Sequence, residues 1–118
     1  MKFKHKNLAK GRWYKLSFVE QMANIGSEVE RAILWNKKGD KDYMLRAVER
    51  ALELLYLTIE DKKNKLHLKE LARLREFLID YFYFGNEYNS SEKFWHKYFY
   101  PFYYIVGKSK DIRGKNLT

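Results

Sequence analysis

The spacing of apolar residues constrains this chain more than any other feature, because they advance by threes and fours through three successive segments, and no stretch alternates apolar and polar residues with turn chemistry in the manner of a hairpin. From Ser17, the positions Phe18, Met22, Ile25, Val29, Ala32 and Ile33 make one stripe of an α-helix. Ser17 with Glu20 three residues on is a capping-box pattern, and Lys37-Lys38-Gly39 reads as the stop. Asp40 can cap a second helix, whose stripe is Met44, Val48, Ala51, Leu52, Leu55 and Ile59 and which ends in the polar tract Glu60 to Lys65. A third stripe runs through Leu71, Leu74, Leu78 and Tyr81/Phe82, widened by Leu68 and Phe77, until Gly85-Asn86 and Asn89-Ser90-Ser91 mark a loop. The last element spans about Glu92 to Val106. Pro101 lacks the amide that a continuous helix needs, so a kink or two short helices are expected there. With no hairpin pattern, the fold class is all-α: an up-down four-helix bundle in a single domain over residues 16–107.

The charge is divided unevenly along the chain. Of a net +9, residues 1–15 hold Lys2, Lys4, Lys6, Lys10, Arg12 and Lys15 with no acid, giving +6. Residues 108–118 hold Lys108, Lys110, Arg113 and Lys115 against Asp111, giving +3, and the body between is neutral. The expected picture is a folded body with a basic N-terminal arm and a basic C-terminal tail, which gain affinity for phosphate by releasing counterions. Lysine-rich ends that merely confer solubility are the plainer reading. The chain has no cysteine, no signal-peptide pattern and no run of about eighteen apolar residues, so a cytoplasmic protein without a membrane span is expected.

Aromatic residues crowd the C-terminal third: thirteen of the twenty-four residues from Tyr81 to Tyr104 are Tyr, Phe or Trp. About three positions in seven of a bundle helix face inward, so these rings exceed what one core can hold. Steps of four, four and three place Phe94, Tyr98, Phe102 and Ile105 on the core stripe, with Trp95, Phe99, Tyr103 and Val106 beside it. Trp95, Phe99, Tyr100, Tyr103 and Tyr104 are therefore expected at an interface between identical subunits; stacking on unpaired RNA bases and a thick aromatic core are the alternatives.

Parts for chemistry are scarce. Glu92 and His96 stand four apart as a carboxylate–imidazole pair with no third ligand, His67 begins a helix, and His5 belongs to the arm. No phosphate-binding Gly loop, His-Glu-x-x-His, or paired Glu-x-x-His is present, and no arginine precedes a histidine at the spacing of helical HEPN-type RNases. The expectation is a protein that is not an enzyme, with no metal and no cofactor.

The run Arg50-Ala51-Leu52-Glu53-Leu54-Leu55-Tyr56-Leu57-Thr58-Ile59, a polar break, and Leu68-Lys69-Glu70-Leu71-Ala72-Arg73-Leu74-Arg75-Glu76-Phe77-Leu78 resembles the middle helices of a family of small basic proteins. These are the accessory variability determinant proteins of diversity-generating retroelements and the proteins encoded in intervening sequences of large-subunit ribosomal RNA genes. The resemblance covers residues 17–84. It implies a four-helix bundle, a pentamer, nucleic-acid binding through basic surface residues and, in the retroelement case, a reverse transcriptase as partner. Gly107-Lys108-Ser109-Lys110 departs from the Gly-x-Trp-like ending of that family, as does the aromatic segment around Pro101. Arg46, Arg50, Arg73 and Arg75 are the basic positions of the matching part that could extend an RNA surface. The function expected is thus an RNA-binding accessory protein, and the alternative is an oligomeric interaction scaffold with solubilising tails.

Overall fold

The computed structural model describes residues 11–116, with side chains through residue 109. Lys2, Lys4, Lys6 and Lys10 lie outside the described residues, as do the side chains of Lys110, Arg113 and Lys115. The architecture is all-helical: α1 (Phe18–Lys37), α2 (Lys41–Glu60), a 3-10 helix (Lys62–His67), α3 (Leu68–Tyr83) and α4 (Glu92–Asn116), with no strand among the described residues.

Local chemistry sets the boundaries. Ser17 Oγ accepts from the Glu20 amide and the Glu20 carboxylate accepts from the Ser17 amide, both at 3.1 Å, so the expected capping box forms. Gly39 takes φ 77°, a left-handed conformation that lets α1 turn sharply into α2, and Asp40 caps α2 through the Tyr43 amide at 3.1 Å. Asp61 closes α2 and caps the 3-10 helix. The loop expected at 85–91 is present, held by Asp80, which accepts from the Glu87 and Tyr88 amides at 2.8 and 3.0 Å.

α1 packs against α2 and α4, and α2 against α3. Rings join α3 to α4, Phe77 to Phe94 and Tyr81 to Trp95. The shared core takes Met22, Ile25, Val29 and Ile33 from α1, Ala51 and Leu55 from α2, Leu71, Leu74 and Leu78 from α3, and Trp95 and Phe99 from α4. A smaller cluster of Ala32, Met44, Ala47 and Val48 fills the space beside the α1–α2 turn.

The fourth helix departs from the sequence reading in three ways. Its helical assignment runs unbroken across Pro101, so the break expected there does not occur. Pro101 is exposed, where water can serve the carbonyl it leaves unbonded, and packing on both sides, by Trp95 and Phe99 before it and Phe102 and Tyr103 after it, offsets the cost of about 3 kcal/mol. The helix also continues through Asn116, taking in most of the segment expected as a separate tail. Finally, its inward face is turned by one residue. Trp95 and Phe99 are fully buried, whereas Phe94 and Ile105, assigned to the core stripe, are 37% and 49% exposed. The cause lies on α1, where Gly26 leaves room for α4: a Cβ there would stand 2.6 Å from Phe99 Cγ and 2.3 Å from the Tyr103 hydroxyl.

Candidate nucleic-acid interface

The N-terminal segment does not leave the body at Leu16, because Trp13 is buried in the core. Its indole N–H donates to Thr58 Oγ1 at 2.9 Å, and Gln21 Nε2 donates to the Trp13 carbonyl at 3.0 Å and to Asp61 Oδ2 at 2.9 Å. Asn64 Nδ2 completes the set by donating to Gln21 Oε1 at 2.8 Å and to the Thr58 carbonyl at 3.0 Å. Gln21, Thr58, Asp61 and Asn64 are all buried, so this polar knot is strongly specified and ties the start of α1, the end of α2 and the 3-10 helix together. Lys63 seals it from outside, pairing with Asp61 and donating to the Tyr14 carbonyl at 3.2 Å. Burial works to raise the Asp61 carboxyl, but hydrogen bonds from Lys63 and Gln21 outweigh it and hold the group below the usual carboxylate range.

The knot fixes where the basic arm begins. Arg12 and Lys15 are exposed on either side of Trp13 and Tyr14, and the Tyr14 carbonyl is bonded by Lys63 of the 3-10 helix, which also carries the exposed Lys62 and Lys65. The foot of α3 lies at this same end, since Phe18 stacks on His67 with centroids 3.9 Å apart. So does the later part of α4, whose Ile105, Val106 and Ser109 line one crevice with Ser17, Val19 and Glu20. Lys108, half-covering the Tyr104 ring at 5.3 Å, therefore belongs to the end from which the arm departs.

The acids at this end whose side chains are described are engaged. Glu20 is in the capping box, Asp61 is paired with Lys63, Glu60 accepts from the Tyr56 hydroxyl at 2.7 Å, and Glu70 accepts from the Tyr98 hydroxyl at 2.9 Å. Burial first, then the Glu70 carboxylate, raises Tyr98 well above the ordinary tyrosine range, so it remains a donor. By contrast Arg12, Lys15, Lys62 and Lys65 make no ion pair among the described residues. The result is a surface of available cations at one end of the molecule, suited to phosphate.

The arginines of the matching helices are only partly there. Arg73 and Arg75 stand within two turns of the foot of α3, exposed and without an ion pair among the described residues. Arg46 lies over the Tyr43 ring at 5.4 Å, and Arg50 is bonded to Glu28 at 3.0 Å. At 1.5 Å per residue, both sit about 15 Å or more along α2 from its Lys62 end, so they do not join the lysine surface. Lys62, Lys63 and Lys65 were missed from the sequence because they read as a tract that ends a helix; their density was the available signal.

The aromatic expectation also divides. Trp95 and Phe99 are sealed in the chain's own core and offer no ring to a neighbouring subunit; Tyr103 is half-buried against Gly26. Tyr100 and Tyr104, 62% and 51% exposed, remain on the outer face of α4. The Glu92–His96 pair is confirmed in contact at 3.5 Å but belongs to a wider surface group at the other end: His96 also meets Glu30, and Lys37 bonds Glu92 at 3.0 Å. Hydrogen bonding to Glu30 raises His96 above the ordinary histidine range, against a smaller opposing effect of burial. Among the described residues no group of three His, Cys, Asp or Glu is arranged to hold a metal ion, and no helix is long and apolar enough to cross a membrane.

No family model matches this chain, and neither the curated proteins nor the solved structures compared with it include a similar one.

Proposed function

We propose that this protein binds RNA without acting on it, with the strand lying across the lysine-rich end of an up-down four-helix bundle. One observation carries the reading: the buried knot around Gln21 roots the +6 arm against the lysine-bearing 3-10 helix, at the end where Glu20, Glu60, Asp61 and Glu70 are already engaged. Each phosphate neutralised by such cations releases counterions, which supplies affinity without sequence preference. The likeness to retroelement accessory proteins extends this reading to a reverse transcriptase as partner and to a closed ring of identical subunits, for which the exposed Tyr100 and Tyr104 supply the apolar contact. A ring would also gather several basic ends, multiplying their local field.

A scaffold function is the second reading, favoured by the same exposed tyrosines. The two are separated by the double variant Lys62→Glu/Lys65→Glu, whose positions are exposed and outside the knot's hydrogen bonds. RNA affinity should fall at least about tenfold at fixed salt with the thermal melt unchanged. An unchanged affinity would leave the lysine end without a role and the scaffold reading ahead.

A further inference from the structure

A groove of about 390 Å3 opens between α3 and α4, walled by Leu74, Phe77, Phe94, Trp95 and Tyr98, with Arg73 at its rim. Its volume falls within the range of about 300–1,000 Å3 usual for small-ligand sites. The walls are built rather than incidental. Phe77 is backed by Tyr88, stacked at 4.6 Å and 6°, and the loop that carries Tyr88 is held by Asp80. Phe94 lies against Phe77, Trp95 and Tyr98 and is still 37% exposed.

Three features bear on what such a groove would take. The Arg73 guanidinium has no ion pair among the described residues, so it is available to an anion. Trp95 lines the groove as a fully buried ring, so its indole N–H, which has no acceptor among the described residues, reports on what enters without being the contact itself. The carboxylate on the groove's edge, Glu70, is occupied by the Tyr98 hydroxyl. An aromatic slot with a free guanidinium at its mouth matches a flat ring that carries a phosphate. Location makes the same choice, since Glu70 and Arg73 follow within two turns of His67, the last residue of the lysine-bearing 3-10 helix.

We infer that this groove receives one unstacked base of a single-stranded RNA whose backbone crosses the lysine end, with the adjoining phosphate on Arg73. The inference rests on the RNA-binding reading and adds to it a preference for unpaired strands: a base inside a duplex cannot enter the slot, whereas the lysine end attracts either form.

The experiment compares single-stranded oligouridylate with a double-stranded RNA of equal length, on the full chain, using Phe94→Leu and Arg73→Gln. Phe94→Leu keeps an apolar side chain and removes the stacking ring; Arg73→Gln keeps a polar side chain and removes the charge. Phe94→Leu should weaken single-stranded binding by about 5- to 20-fold and leave double-stranded binding unchanged, in keeping with the value of one base–aromatic stack. Arg73→Gln should weaken single-stranded binding by a smaller factor. A 15N spectrum should show the Trp95 indole resonance moving with added oligouridylate but not with inorganic phosphate. Equal losses for both RNA forms, or none, together with a stationary indole resonance, overturn the base slot while the lysine end stands. An indole resonance that moves with protein concentration alone gives the groove to a second copy and overturns the inference as well. If neither RNA binds the unmodified chain at low salt, the RNA-binding reading itself fails.

Discussion

Replacing Gly26 with alanine should destabilise the protein, against the usual effect of that change in a helix. Inside α1 the substitution by itself would contribute about 1 kcal/mol of stability, because glycine gives up more backbone freedom than alanine. Here the added methyl would stand 2.6 Å from Phe99 Cγ and 2.7 Å from Phe99 Cδ1, well inside contact distance. Phe99 is fully buried, and Cγ is the root of its ring, so the clash is relieved only by moving α4 away from α1. Overpacking of a filled core costs about 1–3 kcal/mol, and the short contact to a ring root argues for the upper half of that range. The net loss is then about 1–2 kcal/mol, or a fall in Tm of about 4–10 °C for a chain of this size. Thermal melts of Gly26→Ala beside Ser27→Ala, an exposed neighbour, isolate the packing effect from propensity. A Gly26→Ala protein as stable as the parent, or more so, would refute the close α1–α4 approach. It would also refute the rotation that turns Tyr100 and Tyr104 outward.

Other outcomes follow from the same geometry. Thr58→Val should cost about 1–3 kcal/mol by stranding the buried Trp13 indole N–H, and combining it with Trp13→Phe should cost less than the two separately; additive losses in urea melts would show that the 2.9 Å bond does not hold the arm's root. His96 faces Glu30 and Glu92, with Lys37 beyond, and its folded pKa is raised, so its contribution is full below the unfolded value of about 6.5 and is lost as pH climbs through the folded one. The stability advantage over His96→Gln, roughly a few tenths of a kcal/mol at this solvent-screened site, should therefore be larger at pH 5.5 than at pH 8.5; a gap that widens with pH would refute the assignment. If the outer face of α4 joins subunits, Tyr100→Glu/Tyr104→Glu should give a monomer by light scattering from a parent that is larger; a parent already monomeric at micromolar concentration would leave that face without a partner copy.

The sequence made the first three helices legible because their stripes, caps and stops are local. Ser17 with Glu20, Gly39 and Asp40 act within a single turn, and the residues that pack inward, such as Met22, Leu55 and Leu78, repeat at the helical period. The fourth helix was harder because both of its candidate stripes are aromatic. Hydrophobicity cannot choose between Phe94 with Tyr98 and Trp95 with Phe99; the choice is made by Gly26, sixty-eight or more residues earlier in the chain. Pro101 misled for a related reason, since the local penalty is real but is outweighed by long-range burial on either side. The basic segments were found by counting charge, yet their common end was not, because it follows from packing antiparallel neighbours. Trp13 was the missed hint: a large ring within a lysine-rich arm needs a core to enter, and it enters the one beneath Thr58 and Gln21. For that reason a cut that removes Trp13 opens the core.

The measurement that bears most directly on the account is the affinity of the full chain for a fluorescent single-stranded RNA as salt is raised. If the lysine end and its arm hold phosphates, log affinity should fall linearly with log salt, with a slope of about −0.7 for each phosphate neutralised and a total corresponding to roughly four or more contacts. Removal of residues 1–10, which hold Lys2, Lys4, Lys6 and Lys10, should flatten that slope. No binding at low salt, or an affinity that does not change with salt, would contradict the account.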